Sequence, residues 1–295
     1  MAEAGPTAQC GPLRVRRGTF LAMPTRLFPS VLYQADPDLA EQVGGWAREV
    51  VWDVHPETTT WRLSRGASLR YLKVQVVDHE PTLEAEAVRM RWVRDRLPVP
   101  DVLGYGRAEA EAGGGEVEWL LTTGLPGLNG VHPSVGRDPA RLLEGLARGL
   151  RRIHALPVAD CPFDFRQEAA LAHARRRVGA GLVRQDHLHE EFSHLTPATA
   201  LAELEVTRPD GERPVVCHGD YCTPNVLLNE DFEPVGFVDL AELGVADPWW
   251  DLAAATWSIG WNLGEEWGDG FLTAYGVEPD RERLRWYRLL YDLAS

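Results

Sequence analysis

The segment His218-Gly219-Asp220-Tyr221-Cys222-Thr223-Pro224-Asn225 places a carboxylate and a carboxamide five positions apart, and a second carboxylate, Asp239, follows. An amide oxygen beside a carboxylate suits Mg²⁺, a hard cation that keeps few protein ligands and shares its remaining positions with phosphates. A further carboxylate within a few ångströms can accept the proton of an attacking hydroxyl. Together Asp220, Asn225 and Asp239 are the residue types that metal-assisted phosphoryl transfer to an alcohol requires.

Those residues need an element that gathers them. Two apolar runs, Val226-Leu227-Leu228 and Val235-Gly236-Phe237-Val238, flank the polar turn Asn229-Glu230-Asp231-Phe232-Glu233-Pro234, which reads as a β-hairpin. Centred near residue 232, this hairpin is expected to set Asn225 opposite Asp239 at its open end, with Asp220 on the loop before it. The Asp-to-Asn spacing, followed by a metal-binding aspartate, is that of a kinase catalytic loop.

A second charged pair lies upstream. Lys73 interrupts the apolar strand pattern of Leu69–Val77 and must either snorkel to water or find an anion. The pattern predicts a helix over Thr82–Arg96, on which Glu86 shares an apolar face with Met90, Val93 and Leu97. A carboxylate left unpaired on a buried face costs about 3–5 kcal/mol, so Lys73 is its expected partner; two unrelated surface charges are the alternative. Such a Lys–Glu pair, with the lysine reaching the α- and β-phosphates, serves an ATP site. The turn His55-Pro56-Glu57-Thr58-Thr59-Thr60 has no glycine, and its threonines either cap phosphates or form an ordinary polar turn. No Walker A pattern is present.

The 295 residues suit one large domain or two lobes, and 44% hydrophobic content provides for a sizeable core. Strands are predicted over Glu49–Val54, Thr60–Leu63, Leu69–Val77, Val102–Gly106 and Val117–Thr122, with a flexible hairpin tip at Glu109–Glu116. Helical periodicity dominates beyond Gly124, including Leu142, Leu143, Leu146, Leu150 and Ile153 after the cap pair Asp138-Pro139. The expected organisation is α+β. It comprises a poorly ordered extension over 1–30, a mostly β lobe over 31–123 and a larger, mostly α lobe over 124–295, with the nucleotide between the lobes. A formal net charge of −14 argues against nucleic acid and anionic membranes as partners and favours a cationic substrate, although acidity also serves plain solubility. No apolar run is long enough to span a bilayer. Cys10, Cys161, Cys217 and Cys222 lack disulfide-framework spacing, which predicts reduced thiols and a cytoplasmic location. Grouped as zinc ligands, Cys217, His218 and Cys222 would supply only three donors at an unusual spacing.

The chain resembles the aminoglycoside O-phosphotransferases, in particular the 3′-phosphotransferases, over about residues 46–293. The resemblance rests on Tyr71-Leu72-Lys73, Leu97-Pro98-Val99-Pro100, Ile153-His154-Ala155-Leu156-Pro157, Asp160-Cys161-Pro162, the catalytic-loop segment, the run from Phe237 to Asp251, and Trp286–Leu290. It implies a protein kinase-like fold using ATP and Mg²⁺. By the same resemblance Asp220 is the catalytic carboxylate, Asn225 and Asp239 hold the metal, Lys73 binds phosphates and Glu86 orients it. Thr123 and Leu125 meet adenine through their backbone, His218 is a packing residue, and Asp251 braces the catalytic loop.

The acceptor side departs from the family pattern. The loop Asp186-His187-Leu188-His189-Glu190-Glu191 carries two histidines where acids or amides are usual. Ala241-Glu242 replaces a glycine-arginine pair, Trp257 and Trp261 replace polar or charged residues, and the chain ends Tyr291-Asp292-Leu293-Ala294-Ser295. Glu190, Glu191, Glu242 and Asp292 are the expected contacts to a small cationic substrate. The tryptophans either belong to the core or line a pocket for a flatter acceptor. The expected protein is a monomer or weak dimer that phosphorylates an aminoglycoside, most simply at its 3′-hydroxyl, and so confers antibiotic resistance. A same-fold kinase for another antibiotic, an amino alcohol or a metabolite is the main alternative. A protein kinase lacks room for an activation segment after Asp239, and a non-catalytic pseudokinase would not need the full set of charged residues.

Overall fold

The structure is a computed structural model that describes residues 37–53, 57–77, 79–109 and 115–295. The expected N-terminal extension, most of the Glu109–Glu116 tip and Val54 lie outside the described residues. The described chain divides after Pro126 into two compact units.

In residues 37–126, five antiparallel strands form a sheet of order β1-β2-β3-β5-β4: β1 (Ala47–Trp52), β2 (Thr58–Arg65), β3 (Ser68–Val76), β4 (Val102–Glu109) and β5 (Glu116–Thr123). Alternation sends Leu72 and Val74 of β3 to one face and Lys73 and Gln75 to the other. The first face forms a core with Trp61 and Leu63 of β2, capped by Leu39 and Val43 of a short helix absent from the sequence expectation, α1 (Pro37–Val43). Thr58, Thr59 and Thr60 belong to β2, not to the turn before it, and Thr60 pairs with Lys73.

Helix α2 (Leu83–Val93) starts where Thr82 Oγ1 accepts from Ala85 N at 3.1 Å. Leu83, Glu86, Ala87, Met90 and Val93 form its buried face. The helix stops three residues short of the expected Arg96. Both Arg96 N and Leu97 N turn back to Val93 O, because Pro98 keeps the residue before it out of helical geometry.

Residues 127–295 are mostly helical. Helix α3 (Pro139–His154) starts at the Asp138 cap and buries Leu142, Leu143, Leu146, Leu150 and Ile153 as the periodicity predicts. It is followed by α4 (Gln167–Gly179), α5 (Pro197–Val206), α6 (Trp249–Leu263), α7 (Gly268–Tyr275) and α8 (Arg281–Ala294). Helix α6 is buried along most of its length and packs against α7 and α8. Short strands support the loops: β6 (Leu128–Asn129), β8 (Val226–Leu228) and β9 (Pro234–Phe237) form one sheet, and β7 (Val215–Cys217) pairs with β10 (Gly244–Ala246).

The β8–β9 hairpin forms, with a register correction. Val226 pairs with Phe237 and Leu227 with Gly236, but Leu228 pairs with Pro234, so Val235 is an extra residue in β9. Asn225 therefore faces Val238, whose N–H donates to Asn225 O at 3.1 Å, and Asp239 lies one residue further along.

Candidate active site

Asp220 lies on the loop between β7 and β8, and a single 3₁₀ turn over Thr223–Asn225 brings the amide back to it. Asn225 Nδ2 donates to Asp220 Oδ2 at 2.8 Å and to Asp220 O at 3.0 Å. With the amide nitrogen committed to Asp220, the Asn225 oxygen is the atom left for a cation, which fits the donor set of a Mg²⁺ site. Asp239 follows β9 with φ of 63°, a left-handed conformation that aspartate tolerates better than most residues. Burial, and secondarily the charge of Asp239, push the Asp220 carboxyl above its usual range. The two carboxylates thus lie near enough for Asp220 to feel the charge of Asp239.

Before the 3₁₀ turn the loop has no helix or sheet hydrogen bonding, and a buried carboxylate holds its first residues. Asp251 of α6 is fully buried and accepts from His218 N at 2.7 Å and from Gly219 N at 2.9 Å. His154, at the end of α3, adds Nε2 at 3.0 Å from Asp251 Oδ2 and is itself held by Tyr275 Oη at 2.7 Å. Trp250 Nε1 donates to Gly219 O at 2.6 Å. Gly219 has φ of +94°, and a Cβ there would sit 2.4 Å from Glu242. Both facts demand glycine. Fully buried His218 puts Nε2 at 3.1 Å from Val238 O and takes the Asp220 N–H on Nδ1.

The three proposed zinc donors point to different protein acceptors. Cys217 Sγ lies 3.4 Å from Asp247 O, Cys222 Sγ lies 2.9 Å from Asp220 Oδ1, and His218 is engaged as above. Among the described residues Cys161, Cys217 and Cys222 form no disulfide with one another, and no helix is long and apolar enough to cross a membrane.

On the 37–126 unit, Lys73 Nζ lies 3.0 Å from Glu86 Oε2, with the lysine side chain 22% and the glutamate 7% exposed. The carboxylate on the apolar face of α2 thus has the cation that its burial demands. Thr123 N donates to Asp101 O and Gly124 N to Leu69 O. Leu125 lies in the coil that follows β5.

The four expected acceptor contacts are placed unequally. Glu190 and Glu191 are both exposed, and Glu191 Oε1 lies 3.6 Å from Arg288 Nη1. Asp292 is engaged by His189 through both the backbone N–H, at 2.8 Å, and the ring nitrogen Nδ1. Glu242 is buried against the catalytic loop, and burial together with the Asp220 charge raises its pKa to about 8. Trp257 meets His189 edge-on at 4.5 Å and stacks on Trp261 at 6.2 Å. Trp261 is 48% exposed, and Trp257 lines a small cavity with Cys222, His189, Arg288 and Tyr291. Neither tryptophan is a core residue.

Several contributors were not anticipated from the sequence. Tyr291 of α8 donates its phenol to Asp220 Oδ1 at 3.1 Å. His154 sits in a quoted motif, but its link to Asp251 spans 97 residues of sequence. Glu118, a charge inside the apolar strand β5, is fully buried. That last signal is the same in kind as the one that identified Lys73.

The phosphotransferase enzyme family model matches residues 44–287. An aminoglycoside 3′-phosphotransferase of Streptomyces fradiae is 40% identical over 216 residues, covering 70% of this chain and 78% of the relative. The crystal structure of an aminoglycoside-3′-phosphotransferase of type VIII superposes with a TM-score of 0.76 at 33% identity, covering 90% of this chain and 99% of that one. The aminoglycoside phosphotransferase APH(3″)-Id of Streptomyces rimosus, in complex with ADP and streptomycin, gives 0.70 at 30% identity over 90% and 97% of the two chains. The α+β, kinase-like fold expected from the sequence is the fold of these enzymes, and the chain belongs to the phosphotransferase enzyme family.

Proposed function

We propose that this enzyme transfers the γ-phosphoryl group of ATP to a hydroxyl of an aminoglycoside, with the 3′-hydroxyl as the first candidate, and thereby confers resistance on a cell that expresses it in the cytoplasm. The observation that carries the reading is the Asp220–Asn225 hydrogen bond at 2.8 Å on a loop with the kinase spacing. In this reading Asp220 orients the acceptor hydroxyl and accepts its proton. Lys73, held by Glu86, binds the α- and β-phosphates, while Thr123 and Leu125 offer backbone groups to the adenine. Asn225 and Asp239 would hold Mg²⁺, which when bound supplies charge neutralisation on the transferring phosphate. Catalysis comes mainly from positioning, because the transition state is loose and asks little covalent help.

On the acceptor side, Glu190 and Glu191 are the carboxylates best exposed to ammonium groups, and Trp261 offers an aromatic face. A 3″-hydroxyl of the streptomycin type is the second reading, favoured by the similarity to the streptomycin-bound relative over 90% of this chain.

The test is ADP release from MgATP with a panel containing kanamycin, neomycin and streptomycin. Release with the first two supports the 3′ reading, and release with streptomycin alone moves the site to 3″. Release only with other hydroxyl compounds rejects aminoglycosides altogether. Asp220→Ala is expected to abolish turnover while ATP binding survives, and near wild-type turnover by this variant would refute its role.

A further inference from the structure

The Lys73–Glu86 pair depends on where α2 sits, and the structure holds the start of that helix with a second buried carboxylate. Glu118 of β5 has no solvent exposure. Its Oε1 accepts from Leu83 N, the first residue of α2, at 2.7 Å and from Gln75 Nε2 at 2.8 Å. Its Oε2 accepts from Tyr105 Oη at 3.0 Å. Gln75 Nε2 also donates to Pro81 O at 2.9 Å, so the chain entering α2 is tied to β3 and β5 together. Three donors suit the carboxylate form, and a helix N-terminus favours negative charge.

The geometry transmits this to the candidate phosphate site. Gln75 and Lys73 share one face of β3, and Glu118 is the cross-strand partner of Gln75. Leu83, whose N–H meets Glu118, is three residues before Glu86 and shares the buried face of α2 with it. A shift of the helix start therefore moves Glu86 relative to Lys73. We infer that Glu118 is a positioning residue for nucleotide binding: by fixing the N-terminus of α2 to β5, it sets the Lys73–Glu86 contact without touching the nucleotide itself. The inference rests on the reading of Lys73 and Glu86 as the phosphate-binding pair.

The test is a double-mutant cycle in the full chain with Glu118→Gln, Glu86→Gln and both, reading KM for MgATP, kcat with a responsive aminoglycoside, and thermal stability. Glu118→Gln is expected to raise KM for MgATP by about three- to tenfold with kcat changed less than about threefold. In the Glu86→Gln background the same substitution should add less than about twofold, because both act through one contact. Equal factors in the two backgrounds, or an unchanged KM, would overturn the inference. Should Glu118→Gln fail to fold, Tyr105→Phe removes only one of the three donors and should raise KM by about twofold; no rise would count against the proposal. Leu63→Ala, in the core on the opposite face of the sheet, serves as the stability control and should lower the melting temperature with KM unmoved. If Glu86→Gln itself leaves KM unchanged, the phosphate-site reading falls and takes this inference with it.

Discussion

Two buried carboxylates do parallel work in the two units, and they differ in what they hold. Asp251 braces a loop, satisfying two backbone N–H groups and one imidazole where no regular structure can. Glu118 braces the end of a helix by taking the Leu83 N–H, while Thr82 takes those of Ala85 and Glu86. Both accept from three donors, but removing the first strips a loop that has no helix or sheet of its own to fall back on, while removing the second leaves β5 and α2 able to form with the helix start in a slightly different place. The contrast predicts that loss of Asp251 is read as instability and loss of Glu118 as weakened nucleotide binding.

Asp251→Ala is the strongest attack on that contrast. Each buried donor left unsatisfied costs about 1–3 kcal/mol, and three donors are affected. We expect a loss of about 4–5 kcal/mol, read as a fall of about 10 °C in melting temperature, with turnover reduced at least a hundredfold. A melting temperature within about 2 °C of wild type would show that the loop does not depend on this brace.

Gly219→Ala attacks the same loop from the side of the backbone. The positive φ of 94° and the Cβ position 2.4 Å from Glu242 should together cost about 2–5 kcal/mol. Because the strain falls next to Asp220, kcat should drop while KM for MgATP stays near wild type. A variant in which KM rises and kcat holds would reverse that assignment.

Glu242→Gln is a milder, pH-dependent test. Burial raises the Glu242 pKa from 4.5 to about 8, so the folded protein retains a proton that the unfolded chain releases. The associated stability is present below about pH 4.5 and is lost as pH rises toward 8. Glutamine carries no such penalty. The variant should therefore match wild type near pH 4.5 and become the more stable as pH rises, by at most about 5 kcal/mol near pH 8, seen as a melting-temperature gap that widens with pH. A gap that stays constant from pH 5 to 8 would show that Glu242 does not titrate with folding.

The sequence spoke most clearly where chemistry is local. The spacing of Asp220 and Asn225 sets them within one turn, and the apolar face of α2 left Glu86 needing the cation that Lys73 provides. The hairpin register was off by one because the turn closes tighter than the apolar pattern suggests, with Leu228 opposite Pro234, and the extra residue Val235 makes up only part of the difference. His154 and Tyr291 reach the site only through packing of helices distant in sequence, which a pattern of periods cannot show. The acceptor side was obscured because a carboxylate in sequence does not reveal its partner: Asp292 is taken by His189, and Glu242 is buried. Glu118 was legible by the argument applied to Lys73, a charge within an apolar strand.

The smallest expected effect concerns Tyr291, whose phenol sits at 3.1 Å from the Asp220 oxygen that also receives the Cys222 thiol. In the proposed mechanism the acceptor hydroxyl donates to the same carboxylate, so there the phenol would compete for it. Burial, with the Asp220 charge next, raises the Tyr291 pKa well above its ordinary value, which keeps the phenol protonated and donating throughout the working range. A net hydrogen bond of about 0.5–1.5 kcal/mol corresponds to a factor of roughly 2–12. Tyr291→Phe should therefore raise kcat/KM for the aminoglycoside by about two- to tenfold and leave KM for MgATP unchanged, since the phenol belongs to the acceptor side. A fall in kcat instead would mean that Tyr291 orients Asp220 and does not compete for it. The catalytic loop would then have a second brace beside Asp251, one supplied by the last helix of the chain.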